Sequence, residues 1–323
     1  MNFISRKIAG IVVISALLTA SLTAQTTRND VIKAYNEGAK AVQADLKVAI
    51  ESFEKVITLS DQVGETANDL KQKAIQVLPG LYVKAANTAL TEKKPATDVI
   101  RAARRAAAES EKYGNAANKE NAEKIMLQAY SSMASGFFGQ NDYEKALQAF
   151  DSALMINPGY AAAIFNKALI YIRQDKPEEV EKTIDLYLEK LGGTNEELSK
   201  QARTTALEYF RADGSKANQA ENLDEALVML NKAAKYGDDK DLFYYFADVY
   251  NKKKDFDKGL EFAKKGLEME TGNAEAKAKF YYQLAVAQAG KGQTSDACAS
   301  FKNALYGPFV EASTAQRKNL KCQ

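Results

Sequence analysis

The sequence predicts an all-α protein made of helix pairs in series, and three observations carry that prediction. From Val31 onward, apolar residues recur at spacings of three and four, with no sustained period-two alternation. In residues 161–194, Ile164, Ala168, Tyr171, Val180, Ile184 and Tyr187 stand 34 positions after Tyr130, Ala134, Phe137, Ala146, Phe150 and Ala153. Hydrophobic residues make up 46% and charged residues 27%, with only 5 prolines in 323 residues, so little interrupts a helical chain.

Residues 1–24 stand apart. Arg6 and Lys7 precede an apolar run from Ile8 to Leu22, which ends in Leu22-Thr23-Ala24. That order is the order of a secretory signal peptide, and the run is shorter than the ~20 residues a membrane span needs. Cleavage is expected near Ala24, with Leu22 an imperfect fit to the bond; an uncleaved anchor is the alternative. The segment has no cysteine to carry a lipid. The mature chain is thus expected to be exported, periplasmic or secreted, without an integral membrane span. Losing Arg6 and Lys7 leaves 42 basic and 42 acidic residues. A neutral chain has no surplus of cations to displace phosphate counterions, so no nucleic-acid partner is expected.

Residues 25–126 then form a degenerate stretch. Val31–Gln43 and Lys47–Leu59 make a first pair, with Gly38 at the small position of the first helix and Ala49, Phe53 and Val56 repeating the small, aromatic, small spacing of the second. Glu65–Leu78 is an additional helix expected to break or kink at Pro79-Gly80, where a backbone donor is lost. A second pair over about 80–113 keeps the spacing in Ala86, Leu90, Val99, Ala103 and Ala106 but loses the aromatics.

The regular stretch runs from 127 to 311. Its first unit places Tyr130, Met133 and Phe137 on one helix and Ala146, Phe150 and Ala153 on the next, with Asn141-Asp142 as the turn and Pro158 as the stop. This resembles the tetratricopeptide (TPR) pattern W-x2-L-G-x2-Y … A-x3-F-x2-A … P. Its small residues let two antiparallel helices approach closely. Later units carry Ala226, Leu230 and Ala233; Phe243, Ala247, Tyr250, Phe256, Gly259 and Gly266; and Tyr281, Ala285, Ala297, Phe301 and Ala304. Residues 312–323 supply a C-terminal cap within a helix spanning Val310–Leu320, which a solenoid needs to cover its last apolar face. The resemblance implies a TPR-like α-solenoid of about six to seven helix pairs. Taking Ala49, Val99, Ala146, Val180, Ala226, Gly259 and Ala297 as equivalent, the intervals are 50, 47, 34, 46, 33 and 38. The long intervals point to lengthened first helices.

Little in the chain can carry covalent chemistry. There is no histidine, which removes histidine-based triads, histidine metal sites and histidine pH switches. No phosphate loop or dinucleotide fingerprint occurs. No cofactor and no metal site are expected. Glu109-Ser110 matches a dipeptide of the lytic transglycosylases but lacks any supporting site. Arg101, Arg104 and Arg105, near Lys93 and Lys94, read as an anion patch or as a solvated face helped by Glu109. Lys252-Lys253-Lys254 reads as a turn. Cys298 and Cys322 are either free or form a disulfide that staples the array's end, worth about 3 kcal/mol for a loop of that size.

The TPR resemblance implies a concave groove lined by the first helix of each repeat. By position this selects Phe138, Phe165, Leu169, Ile172, Arg173, Arg211, Tyr244, Lys252, Tyr282 and Val286. Aromatics with arginines between them suit apolar anchors and carboxylates, although the same residues also fit inter-repeat core. Lys84 matches one position of the clamp in chaperone-tail-binding TPR proteins, but Thr88 stands where asparagine belongs, so that ligand class is not implied. The expected function is a non-enzymatic scaffold or adaptor binding a protein or peptide partner of the cell envelope. The alternatives are a glycan-binding or outer-membrane transport accessory and, further off, a carboxylate-dependent glycan hydrolase.

Overall fold

The computed structural model describes residues 26–191, 193 and 195–323; the expected signal segment lies outside the described residues. All regular structure among them is helical. Two compact units divide at Met126/Leu127.

The unit before the division holds α1 (Arg28–Ala41), α2 (Leu46–Val63), α3 (Asn68–Thr91), α4 (Ala96–Lys112) and the start of α5 (Ala116–Gly139). Asp45 begins α2 by accepting from the Lys47 and Val48 amides, a side-chain cap worth about 1 kcal/mol. Val31, Phe53, Val56, Leu78 and Ala106 form the sealed centre of its core. Gly38 packs closely there: a Cβ would sit 3.2 Å from the Phe53 ring, which would have to give way by a few tenths of an ångström.

The expected break at Pro79 does not occur. α3 is one helix of 24 residues with Pro79 inside it. Proline removes a single ladder bond, and the burial of Leu78, Leu81 and Tyr82 on either side outweighs that loss. The additional helix and the first helix of the second pair are therefore one element.

The unit after the division holds the rest of α5, then α6 (Tyr143–Ile156), α7 (Ala161–Arg173), α8 (Pro177–Leu191), α9 (Glu196–Gln219), α10 (Leu223–Ala234), α11 (Lys240–Lys252), α12 (Phe256–Met269), α13 (Ala274–Gly290), α14 (Thr294–Asn303) and α15 (Val310–Asn319). Each even helix from α10 to α14 packs on the odd helix before it, and α11 also touches α9 and α13. α9, α11 and α13 thus share a layer, and seven pairs followed by α15 account for the described residues.

Backbone geometry shows that the pairs are repeats. The turns after α3, α5, α7, α9, α11 and α13 each contain one left-handed residue, at Lys93, Asn141, Asp175, Glu221, Lys254 and Gly292. In each, the next amide donates to the carbonyl five residues back, as Asp142 does to Phe137 and Asp255 to Tyr250, both at 2.9 Å. This is the Schellman closure of a helix end. Non-glycine residues tolerate a left-handed conformation at roughly 1–2 kcal/mol each, so the hairpin packing holds the turns. The long intervals have a direct cause: α3, α5 and α9 each run 24 residues, against 13 for α7 and α11.

Where the helices of a pair meet, Ala134, Ala146, Ala168, Val180 and Ala226 are fully buried. Phe150, Phe210, Phe280 and Phe301 fill the space they leave, each contributing about 1.5–3 kcal/mol by burial. At the end of the unit, Leu320 packs with Ala285, Ala297 and Phe301. Cys298 and Cys322 are bonded, with Cα atoms 5.5 Å apart.

Candidate functional site

The residues that the sequence assigns to a groove lie on odd helices, and α5 and α7 treat them differently from α9, α11 and α13. Phe138 and Leu169 come from α5 and α7 and meet at a cleft of about 40 Å³. Its remaining lining is Ser135, Asn166 and the buried Phe150 and Ile170. The Phe138 ring lies 5.8 Å from that of Tyr143, which fixes one edge. Asn166 donates its Nδ2 to the Ala162 carbonyl at 2.8 Å, leaving its own carbonyl oxygen to accept. Arg173 stands one turn beyond Leu169 on the same helix; it is exposed and has no ion pair among the described residues.

Phe165 is not part of that cleft. Its ring packs 5.2 Å from Tyr187 against the large core cluster of the unit. Ile172 joins the same cluster. Both act as packing residues, one of the two roles their spacing allowed.

From α9 onward the layer is closed by its own hydrogen bonds. Asn218 of α9 donates to Asp248 Oδ2 at 2.6 Å, and Gln283 of α13 donates to Asp248 Oδ1 at 2.7 Å. Lys252 lies 3.2 Å from the same carboxylate and donates to Asn218 Oδ1 at 2.9 Å. Asn251 donates to both the backbone carbonyl and Oε1 of Gln283 at 2.9 Å. Asn218, Asn251 and Gln283 are only 3%, 6% and 3% exposed, so their polar atoms are bound to the chain in place of solvent. Asn251 Oδ1 alone lacks a donor. It points at Gly259, where a Cβ would come within 2.1 Å, which is why glycine stands where other repeats carry alanine or valine.

The other expected groove residues of this stretch are also engaged. Arg211 pairs with Asp239, which at the same time caps α11 through the Leu242 amide at 2.6 Å. Lys279 of α13, which was not among the expected residues, pairs with Asp241. Burial pushes the Tyr244 hydroxyl up to about 12, with the Asp248 carboxylate adding to the shift. Tyr244 lies 5.3 Å from Tyr245 and 6.2 Å from Phe280. Tyr282 is held between Phe301 at 5.8 Å and Phe309 at 5.4 Å. Val286 packs in the terminal cluster.

Elsewhere the charged motifs have structural partners. Arg101 pairs with Asp98, while Arg105 reaches Glu54 of α2 at 2.7 Å and the Tyr82 hydroxyl at 3.1 Å instead of the expected Glu109. Burial and the hydrogen bond to Glu54 raise the Tyr82 hydroxyl above its ordinary value. Glu109 accepts from Lys112 at 3.3 Å, and Ser110 is buried with its hydroxyl donating to the Ala106 carbonyl at 2.6 Å. Lys84 donates to the Val42 carbonyl at 3.2 Å. Lys253 pairs with Asp224. Among the described residues there is no cluster of histidine, cysteine, aspartate and glutamate suited to a metal ion, and no helix is long and apolar enough to cross a membrane.

Comparison with known proteins agrees with this geometry. A tetratricopeptide repeat family model matches residues 137–200. No curated protein matches the chain. Among solved structures, YrrB, described as a TPR protein with an unusual peptide-binding site, is 20% identical over 62% of this chain and 96% of its own, with a TM-score of 0.37. A tetratricopeptide repeat protein from Parabacteroides merdae is 16% identical over 91% and 99%, with a TM-score of 0.29. The TPR2AB domain of yeast Sti1, solved as a pHSP90 complex, is 14% identical over 91% and 94%, with a TM-score of 0.31. Likenesses this loose bear on neither partner nor site. The family match on residues 137–200 and the Schellman-closed hairpins on both sides of it are the features of a TPR-like all-α solenoid fold.

Proposed function

We propose that the protein is a non-enzymatic adaptor that holds a peptide segment of a partner protein on the α5–α7 part of its odd-helix layer. The observation that carries this reading is the unfilled cleft between Phe138 and Leu169, in a layer whose other expected groove side chains are mostly packed or paired. A cleft with an apolar floor and a polar rim holds a partner by side-chain insertion and main-chain hydrogen bonds, without covalent change.

We place its action outside the cytoplasm, in the cell envelope. The apolar run after Arg6 and Lys7 supports that placement, as does the Cys298–Cys322 bond, since structural disulfides persist in oxidising compartments.

The test is affinity capture from an envelope extract of the source organism, with the mature chain and the Phe138→Ala/Leu169→Ala variant as paired baits. A partner identified by mass spectrometry and lost with the variant, while helicity is unchanged, supports the reading. Equal capture by both baits would move the binding surface elsewhere on the chain.

A further inference from the structure

We infer that α15 is a redox-released strap. While Cys298 and Cys322 are joined it covers the end of the α13–α14 pair, and reduction of that bond by a dithiol frees residues 310–323. The inference is independent of the adaptor reading above.

Packing alone holds α15 weakly. Of its ten residues only Ser313 is buried, and the Ser313 hydroxyl has no hydrogen-bond partner among the described residues. An unpaired buried hydroxyl opposes docking. Leu320, just past the helix, is half-buried against Ala285, Ala297 and Phe301, and Arg317 donates to the Cys298 carbonyl at 2.5 Å. By contrast α14, also ten residues long, seals both Ala297 and Phe301 into the array. A helix shorter than about 12–15 residues is marginal in water without such an apolar face, so the order of α15 depends on its attachments.

Those attachments lie at its two ends. Before α15, the turn Gly307–Phe309 packs on α13, with the Phe309 ring 5.4 Å from Tyr282. After it, Cys322 is bonded to Cys298 of α14. Opening the second attachment leaves the first as a pivot at Phe309/Val310. The strap then swings away, and the apolar cluster of Ala285, Ala297 and Phe301 loses the cover of Leu320.

The bond is placed to be opened, since both cysteines are partly exposed. A thiolate of the dithiol attacks one sulfur, forming a mixed disulfide as the S–S bond breaks and the other cysteine leaves as a thiolate that takes up a proton. The second thiol of the reductant then displaces the attached cysteine. Two electrons have moved: the chain holds two thiols and the reductant has become a disulfide.

The experiment is hydrogen exchange of the folded mature chain, oxidised and then reduced with dithiothreitol. Reduction should lower protection of the α15 amides about tenfold or more and leave α5–α12 within about twofold. The Cys298→Ser/Cys322→Ser variant should show the same pattern without reductant, and Leu320→Ala with the bond intact should keep α15 protected. Unchanged α15 protection after complete reduction overturns the inference, because packing then holds the helix. Loss of protection that spreads through α9–α12 also overturns it, because the bond then supports the whole unit instead of a strap.

Discussion

Within the unit after Met126, the layer of odd helices changes character between α7 and α9. Over α5 and α7 it shows rings, methyl groups, the Asn166 amide and the exposed Arg173, and it leaves a cleft open between Phe138 and Leu169. Over α9, α11 and α13 it is a ladder of amides and charges that satisfy one another, from Asn218 through Asp248 to Gln283. The same repeat position therefore does two kinds of work. Where side chains are satisfied internally they fix the register of neighbouring repeats, since every donor in a buried network must find its acceptor. Where they are not, surface remains for a partner.

The largest effect that should break this contrast is Asp248→Ala. It strips the acceptor from Asn218 and Gln283 and leaves Lys252 without its carboxylate, at a cost of about 3 kcal/mol. The midpoint of urea unfolding should fall, and peptide capture at α5–α7 should persist once folding is restored at low temperature. Phe138→Ala should do the reverse. Its half-buried ring costs only about 1–2 kcal/mol to remove, while capture is lost; a larger loss of stability than of binding would make Phe138 core.

Acid should separate the two stretches further. Lys240 holds the Glu270 carboxyl below its usual range by a 2.8 Å contact, assisted by the Gly272 amide at 2.8 Å. A lowered folded-state value means that this contribution is complete at neutral pH and disappears as pH falls through that lowered value. Hydrogen-exchange protection around α11–α13, corrected for the intrinsic rate at each pH, should therefore fall on acidification before protection in α7 does. Glu270→Gln should abolish that lead, and an unchanged lead would assign it to another carboxylate. The smallest effect is expected from Arg173→Ser, an exposed and unpaired position, where stability should stay within about 0.5 kcal/mol. A clear fall in melting temperature there would reveal a structural partner for the guanidinium.

Much of the architecture was legible in spacing alone. The intervals between Ala49, Val99, Ala146 and their equivalents anticipate which first helices are long, because a helix pair adds residues only where its packed face allows. Of the break or kink expected at Pro79, the break does not occur, because a local rule about one lost hydrogen bond ignores the burial on both sides of it. The Asn218–Asp248–Gln283 ladder was not foreseen: polar residues 30 and 35 positions apart look solvated until three helices are brought side by side. One signal was present, the glycine at 259 where its equivalents carry a side chain, which marks the close approach of Asn251. Groove positions could be read from the repeat register, but whether each was open or engaged depended on neighbours the register does not name. Phe165 and Tyr282 show this, since both are occupied by rings from other helices.

The bond between Cys298 and Cys322 also has a mechanical consequence. Force applied at the two ends of the chain can peel helix pairs apart one by one, but it bypasses the 24-residue separation enclosed by the bond. At about 3.3–3.6 Å per extended residue, some 80 Å of contour stays out of reach while the sulfurs are joined. A reduced molecule should extend further than an oxidised one by that length, and the difference should appear as a single added step contributed by α14, α15 and the segment between them.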